Sequence, residues 1–341
     1  MTLLIREADV AALLTMDDVL AAVEAGFRAL GEGAAVNQPR TRSATAAGVL
    51  HVMHAAAPSV GVMGVKAYAT TPRGSRFLAI LYRLEDGEAA AIVEADLLGQ
   101  LRTGAASGVA TKYLARDDAG ALGVIGAGFQ ARSQVRAICR VRPIALVKVY
   151  SRSPQRREAF AAEMVAELGM EVVATASAEE AVEGTDIVVT ATSSRDPVLQ
   201  GAWLRPGMHV NAIGSNAAWR QELDTEAVRR ADVIAVDALD QARVECGDLI
   251  APAEAGQAVW DRVIELGALV AGRHPGRTDR RQITLFESQG IALEDVMTME
   301  VLLRRALAAG VGHEVPLSPG GGRIRRDPQG GPGRPGGKTT S

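Results

Sequence analysis

The chain has 341 residues, 48% of them hydrophobic and 23% charged, with a formal net charge of -3. That length suits two domains of roughly 150 residues each, and the composition is that of an ordinary globular protein. The near-neutral charge and 4% aromatic content supply neither a basic stripe nor a base-stacking surface for nucleic acid. No window approaches the ~18 uncharged apolar residues of a membrane span. Two cysteines, Cys139 and Cys246, make neither a disulfide framework nor a metal cluster, so a reducing compartment is expected. The opening "MTLLIREADVAALLTMDDVL" carries charges at Arg6, Glu7 and Asp9 and lacks the apolar core and cleavage signal of a leader. A cytoplasmic protein without bound metal is the expectation.

In chain order, residues 16–31 repeat apolar positions at helical spacing behind an acidic first turn and stop at Gly31, which predicts an amphipathic helix. "GVLHVMHAAAPSVGVMGVKAYAT" and "RFLAILYRLEDGEAAAIVEAD" read as short strands, with Asp86-Gly87 as a hairpin turn. From about residue 119 the pattern changes. "GALGVIGAG" is a buried strand running into a Gly-rich turn, followed by the helix "ARSQVRAICRV". Strands "LVKVYSRS", "EVVATAS" and "DIVVTATSS" then alternate with helices, and "HVNAIGSN", "ADVIAVDAL" and "QITLFESQG" supply further strands. Near-continuous Val/Ile runs between helices imply an α/β fold with a parallel sheet covered on both faces. "LEDVMTMEVLLRRALAAGVG" is a closing helix. After Leu317 the sequence turns to Gly, Pro and Arg, and residues 318–341 are expected to be disordered, burying too little apolar surface to fold.

Between its strand and helix, the turn carries Gly126-x-Gly128-x-x-Ala131. Gly126 permits the tight turn, Gly128 lets backbone approach a pyrophosphate, and Ala131 allows close helix–strand packing. The helix opening at Phe129 and Gln130 offers free N–H groups to phosphate. A Rossmann-type dinucleotide site is expected. An NAD site places Asp or Glu at the end of the next strand to hold the ribose 2′-OH. Here that strand ends in Ser151-Arg152-Ser153, with Arg156 and Arg157 following. Arg152 between two hydroxyls suits a 2′-phosphate, so NADP(H) is favoured over NAD(H). Thr192 and Ser193, at the end of "DIVVTATSS", are candidate cofactor contacts at the crevice.

Of the 37 Lys and Arg residues only four are lysines, Lys66, Lys112, Lys148 and Lys338. An ammonium can give up its proton when buried, whereas a guanidinium effectively cannot. Lys66 is therefore a candidate for chemistry. "LRTGAASGVATKYLAR", "GVIGAGFQA", "HVNAIGSN", "RQELD" and "QITLFESQG" together resemble the signature of the ornithine cyclodeaminase/μ-crystallin family, over essentially residues 1–317. The resemblance implies a Rossmann-type domain at 116–290, inserted into an α+β substrate and dimerisation domain built from residues 1–115 and 291–317. It implies a homodimer acting on a small imino or amino acid with a nicotinamide cofactor, as a ketimine reductase or amino acid dehydrogenase. Cyclodeamination of ornithine or lysine, and binding without turnover, are the alternatives.

Carried over by motif, Lys66 in "GVK" falls at the catalytic lysine and Arg102 in "RT" at a carboxylate-binding arginine. Arg42 fits the second carboxylate arginine, with Arg40 two residues away the other choice. Thr103, Ile213 and Gly214 complete the expected cofactor contacts. Asn216 is expected at the substrate, where cyclodeaminases carry Asp. An amide cannot take up a proton, which weakens cyclodeamination. The short "TTPRGSRF" also replaces a longer loop of the cyclodeaminases. Asp224 is expected as a helix N-cap. His51 or His54 could face substrate; Cys246 and Asp248 are expected in a nearby loop with no assigned role. Phe77, Tyr82 and Trp219 are pocket, core or dimer-contact candidates.

Overall fold

The computed structural model describes residues 1–317, and the tail expected to be disordered lies outside the described residues. The chain opens with β1 (Thr2–Ile5), α1 (Glu7–Leu13) and α2 (Met16–Gly31). Helix α2 starts where predicted, behind a Thr15/Asp18 capping box. A polar strand follows, β2 (Val36–Thr45), and then β3 (Gly48–Ala57), β4 (Val62–Thr71), β5 (Gly74–Arg83) and β6 (Ala89–Glu94). The β5–β6 hairpin turns at Asp86-Gly87, where Gly87 has a φ of 74°. Next comes α3 (Asp96–Leu114), the helix of "LRTGAASGVATKYL", buried almost all round. Its small residues have a packing reason. A Cβ at Gly104 would lie 2.4 Å from the Ser133 carbonyl, and one at Gly108 2.6 Å from Leu20, so two flanking helices press close to its backbone.

The second half supplies β7 (Ala121–Ile125), α4 (Phe129–Val141), β8 (Leu146–Tyr150), α5 (Pro154–Leu168), β9 (Glu171–Ala174), α6 (Ala178–Val182), β10 (Ile187–Thr190) and β11 (His209–Ala212). It continues with α7 (Thr225–Arg230), β12 (Val233–Val236), α8 (Leu239–Glu245), α9 (Gly247–Glu254), β13 (Val263–Glu265), α10 (Leu266–Val270) and β14 (Thr284–Glu287). These strands form one sheet in the order β13-β12-β14-β11-β10-β7-β8-β9. Every pairing in it is parallel. Strands β10, β11, β12 and β14 are buried at every residue, which is why they read as continuous apolar runs. From β7 the chain proceeds outward through β8 and β9, then returns to place β10 on the other side of β7. That reversal opens a crevice at the carboxyl ends of β7 and β10, where doubly wound sheets bind ligands.

Helix α11 (Ala292–Ala309) and β15 (His313–Val315) end the described chain. Strand β15 joins the first sheet, whose order is β15-β1-β6-β5-β4-β3-β2. Helix α11 packs under that sheet, with Val296 lying 3.0 Å from where a Gly64 Cβ would sit. Strands β1 and β2 and helix α1 were not foreseen from the sequence. Strand β2 is a largely exposed edge with a register shift between Gln38 and Thr41, so its residues carry no apolar alternation to read.

Candidate active site

At the reversal, Gly126 has a φ of 116°, and its N–H donates to the Tyr150 carbonyl at 2.8 Å. A Cβ at Gly126 would lie 2.3 Å from the Ala191 carbonyl, whereas a Cβ at Gly128 would meet nothing within 4 Å. The first glycine is thus required by its own backbone, and the second leaves open space over the start of α4. Ala131 is fully buried beneath. A cavity of about 520 Å³ spreads from this turn and is lined by Gly126, Gly128, Ser151, Arg152, Ser153, Thr192 and Ser193. Arg156 and Arg195 add positive charge, and Asp196 is the one acid on its wall. Ser153 also caps α5, accepting from the Arg156 N–H at 3.3 Å. The room at Gly128, the free helix start and the cationic wall fit a dinucleotide's phosphates. Phe129 does not line this cavity; its side chain is 55% exposed and its carbonyl accepts from Gln100.

A second cavity, of about 490 Å³, brings together Lys66 from β4, Arg102 from α3, Arg42 from β2 and Asn216 after β11. Thr103, Gln130 and Ile213 line it too, so residues expected at the cofactor face the same space as those expected at substrate. Gly214 does not line it.

Lys66 is buried, and its Nζ donates to Asp295 Oδ1 at 2.8 Å. Arg102 shares that carboxylate, donating from Nε at 3.1 Å, and gives an Nη1 hydrogen bond to Glu294 at 2.7 Å. Burial and then the Arg102 charge pull the Lys66 ammonium down to about 8, against the opposing pull of Asp295. Burial lifts Glu294 to about 7 despite Arg102. Both acids come from the first turn of α11, and sequence reasoning missed them. Two adjacent carboxylates in the buried first half of a helix, among Ala292, Leu293, Val296, Met297 and Met299, were the available signal.

Arg40 and Arg42 divide another carboxylate that went unforeseen, Glu245. Arg40 Nη1 lies 2.9 Å from Oε2 and Arg42 Nη1 2.5 Å from Oε1. Arg40 is buried, and its Nη2 is taken by the carbonyls of Gln289 and Gly290 at 2.8 and 3.1 Å. Arg42 is 29% exposed at its side chain and donates to the Asn216 carbonyl at 3.2 Å. His51 stacks on Tyr68 at 4.2 Å between ring centres, and Tyr68 on Phe77 at 4.5 Å, building one wall. Burial and the neighbouring Arg42 and Arg40 push the His51 imidazole down to about 4. His54 is exposed, and neither it nor Tyr82 lines the cavity. Trp219 lies on the rim.

The ends of β10 and β11 are tied by a residue that drew no attention beyond its motif. Glu222 accepts from the Thr192 N–H at 2.6 Å, the Gly214 N–H at 2.7 Å and Thr190 Oγ1 at 2.8 Å. Asp248, expected in a loop, is instead buried in α9, accepting from the Glu222 and Leu223 N–H groups at 2.8 and 2.9 Å. Cys246 is buried at the junction of α8 and α9. Asp224 caps α7 as expected, through the Ala227 N–H at 2.7 Å.

A family model described as the ornithine cyclodeaminase/mu-crystallin family matches residues 1–310. The Δ1-pyrroline-2-carboxylate reductase of Thermococcus litoralis, solved with NADH and L-proline, superposes with a TM-score of 0.89. It is 37% identical, over 92% of this chain and 100% of that one. An archaeal alanine dehydrogenase, solved as a dimer with bound NAD, gives 0.88 at 34% identity, over 93% of this chain and 99% of that one. The iminosuccinate reductase of Paracoccus denitrificans, solved with NAD+, gives 0.87 at 31% identity over the same shares, 93% and 99%. Motifs, topology and these likenesses agree, and the chain belongs to the ornithine cyclodeaminase/mu-crystallin family.

Proposed function

We propose that the chain is an NAD(P)H-dependent oxidoreductase acting on the C–N bond of a small imino or amino acid. The observation that carries this reading is the buried Lys66, held on Asp295 beside Arg102, in a cavity that also takes in Thr103, Gln130 and Ile213 at the dinucleotide end. Reductases and dehydrogenases of imino and amino acids among its relatives support it.

A reduced nicotinamide bound at the crevice would supply the hydride. Arg102 and Arg42 hold the substrate carboxylate, which orients the C=N carbon and removes much of the entropic barrier. Arg40 is spent on Glu245 and two carbonyls and serves as scaffold. Lys66, with an ammonium brought down to about 8, is charged at neutral pH yet able to release its proton to the imine nitrogen. Asn216 contributes an amide at the rim and no base. The cofactor is NADP(H) in preference to NAD(H), because Arg152 and Arg156 stand where an NAD site has an acid. The working unit is a homodimer, a reading supported by the archaeal relative solved as a dimer. Both cysteines are free, in keeping with a cytoplasmic protein, and no helix of the described residues is long and apolar enough to cross a membrane.

The test is NADPH and NADH oxidation by the purified protein with Δ1-pyrroline-2-carboxylate, Δ1-piperideine-2-carboxylate and pyruvate plus ammonia. Ornithine is assayed in parallel for proline and ammonia. Imine turnover without proline formation is the expected result. Proline and ammonia from ornithine would put the chain among the cyclodeaminases, and binding of NADPH with no turnover of any imine would leave it a binding protein.

A further inference from the structure

Five cations line the substrate cavity: Arg40, Arg42, Lys66, Arg102 and Arg220. No acid is among its lining residues. The carboxylates that approach from behind are accounted for. Glu245 bridges Arg40 and Arg42, and Asp295 and Glu294 answer Lys66 and Arg102. Asp237, also buried behind the site, is engaged by the Gly290 N–H and Ser288 hydroxyl. That leaves Arg220. Among the described residues it has no carboxylate within 4.0 Å, and its one side-chain hydrogen bond is a 3.3 Å contact from Nη1 to the neutral amide oxygen of Asn216. Its Nε is buried without a partner. The guanidinium is held in place by the indole of Trp219, 4.8 Å away, and Arg195 lies over the same ring at 4.9 Å. Arg195 belongs to the dinucleotide cavity and Arg220 to the substrate cavity.

The buried Nε lacks a partner and no carboxylate of the described residues answers the charge, so an anion bound in the cavity would be the first ionic partner of this guanidinium. The α-carboxylate is already provided for by Arg42 and Arg102 in the function proposed above, on which this inference rests. We propose that Arg220 receives a second carboxylate, and that the substrate is a short 2-imino dicarboxylic acid, or the acidic amino acid it becomes. A cationic side chain, as in ornithine or lysine, would enter a cavity with no acid on its lining and meet in Arg220 a positive charge that no carboxylate of the described residues offsets. The reaction balances in the ordinary way: the C=N carbon gains the hydride of NAD(P)H, the nitrogen gains a proton through Lys66, and the oxidised cofactor leaves with the amino acid.

The experiment compares kcat/KM for oxaloacetate plus ammonia and 2-oxoglutarate plus ammonia with those for pyruvate plus ammonia and Δ1-pyrroline-2-carboxylate, for the natural chain, Arg220→Met and Arg220→Lys. One of the two dicarboxylates is expected to lead, with oxidation that requires ammonia. Arg220→Met should cut the ratio of dicarboxylate to monocarboxylate kcat/KM by roughly 10- to 100-fold, the worth of a charged hydrogen bond. Arg220→Lys should recover part of it. A fall of both substrates alike would make Arg220 structural, and a rise confined to the KM for NADPH would assign it to the cofactor; either overturns the proposal. Turnover of monocarboxylates in preference to both dicarboxylates overturns it while leaving the imino acid function standing. No turnover of any imine would instead remove the function beneath it.

Discussion

Replacing Lys66 with Met keeps the bulk of the side chain and removes its charge and proton. Two magnitudes follow from the geometry. Asp295 is buried and loses its 2.8 Å partner, but keeps the 3.1 Å bond from Arg102 Nε. Breaking a buried ion pair outright costs about 3–5 kcal/mol, so with one cation remaining the loss of stability should fall near the low end, about 3 kcal/mol. Losing a positioned proton donor costs about 10²- to 10⁴-fold in rate, so kcat for imine reduction should fall about a thousandfold. The dinucleotide turn is untouched, and the NADPH Kd from nicotinamide fluorescence should stay within a few fold. The pH dependence gives an independent check. With the ammonium brought down to about 8, the donor form is full below that pH. Wild-type imine reduction should decline as pH rises through about 8, while amino acid oxidation, which needs the free amine, should rise over the same interval. The reasoning is refuted if folded, NADPH-binding Lys66→Met keeps kcat within threefold of wild type, or if neither wild-type profile bends between pH 7 and 9.

Three further outcomes are expected. Arg152→Asp should reverse cofactor choice, lowering the NADPH-to-NADH ratio of kcat/KM by at least about tenfold as a charge-assisted phosphate contact becomes a repulsion; steady-state kinetics with both cofactors reads this, and an unchanged ratio removes the NADP assignment. Gly126→Ala should lose dinucleotide binding and melt lower, because its φ of 116° and the Ala191 carbonyl 2.3 Å from the new Cβ leave no room; titration calorimetry and a thermal melt would contradict this if both matched wild type. Asp248→Asn should flatten the pH dependence of stability. Burial lifts Asp248 from 3.8 to about 7, so the native state holds an extra proton between those values. The stabilisation this brings is full below about 4 and lost as pH rises through about 7. Thermal melts from pH 4 to 8 should fall less steeply in the variant, and identical slopes would count against a proton held there.

The parallel sheet was legible because burial on both faces demands uninterrupted apolar runs, as in "DIVVTATSS" and "ADVIAVDAL". The dinucleotide turn was legible because Gly126 occupies a conformation that side chains resist. Lys66 stood out by type and motif. The acids that give these residues their character were not legible. Glu245, Glu294 and Asp295 reach Arg40, Arg42, Lys66 and Arg102 across roughly two hundred residues of chain, and no local periodicity encodes such pairing. The choice between Arg40 and Arg42 was open for the same reason. The register shift in β2 and the carbonyls of Gln289 and Gly290, which bury one guanidinium and leave its neighbour half free, are tertiary facts.

The same pairing bears on which branch of chemistry the cavity can support. Cyclodeamination needs a group that collects a proton from water or amine while the carbon skeleton rearranges. At the position where the family resemblance implies a carboxylate in cyclodeaminases, Asn216 offers an amide oxygen that already accepts from Arg220 and a carbonyl that accepts from Arg42. His51, driven to about 4 by burial and two arginines, is neutral at physiological pH and a weak base. Glu245 is held between two guanidiniums and Asp295 between Lys66 and Arg102, and Glu294 is tied to Arg102, so each of these carboxylates is already engaged by a cation. What the site has in supply is the opposite, a buried ammonium ready to donate and cations ready to hold anionic oxygen. Imine reduction asks for those two provisions and for no base, so the electrostatics of the cavity and the amide at Asn216 argue for one chemistry from separate directions.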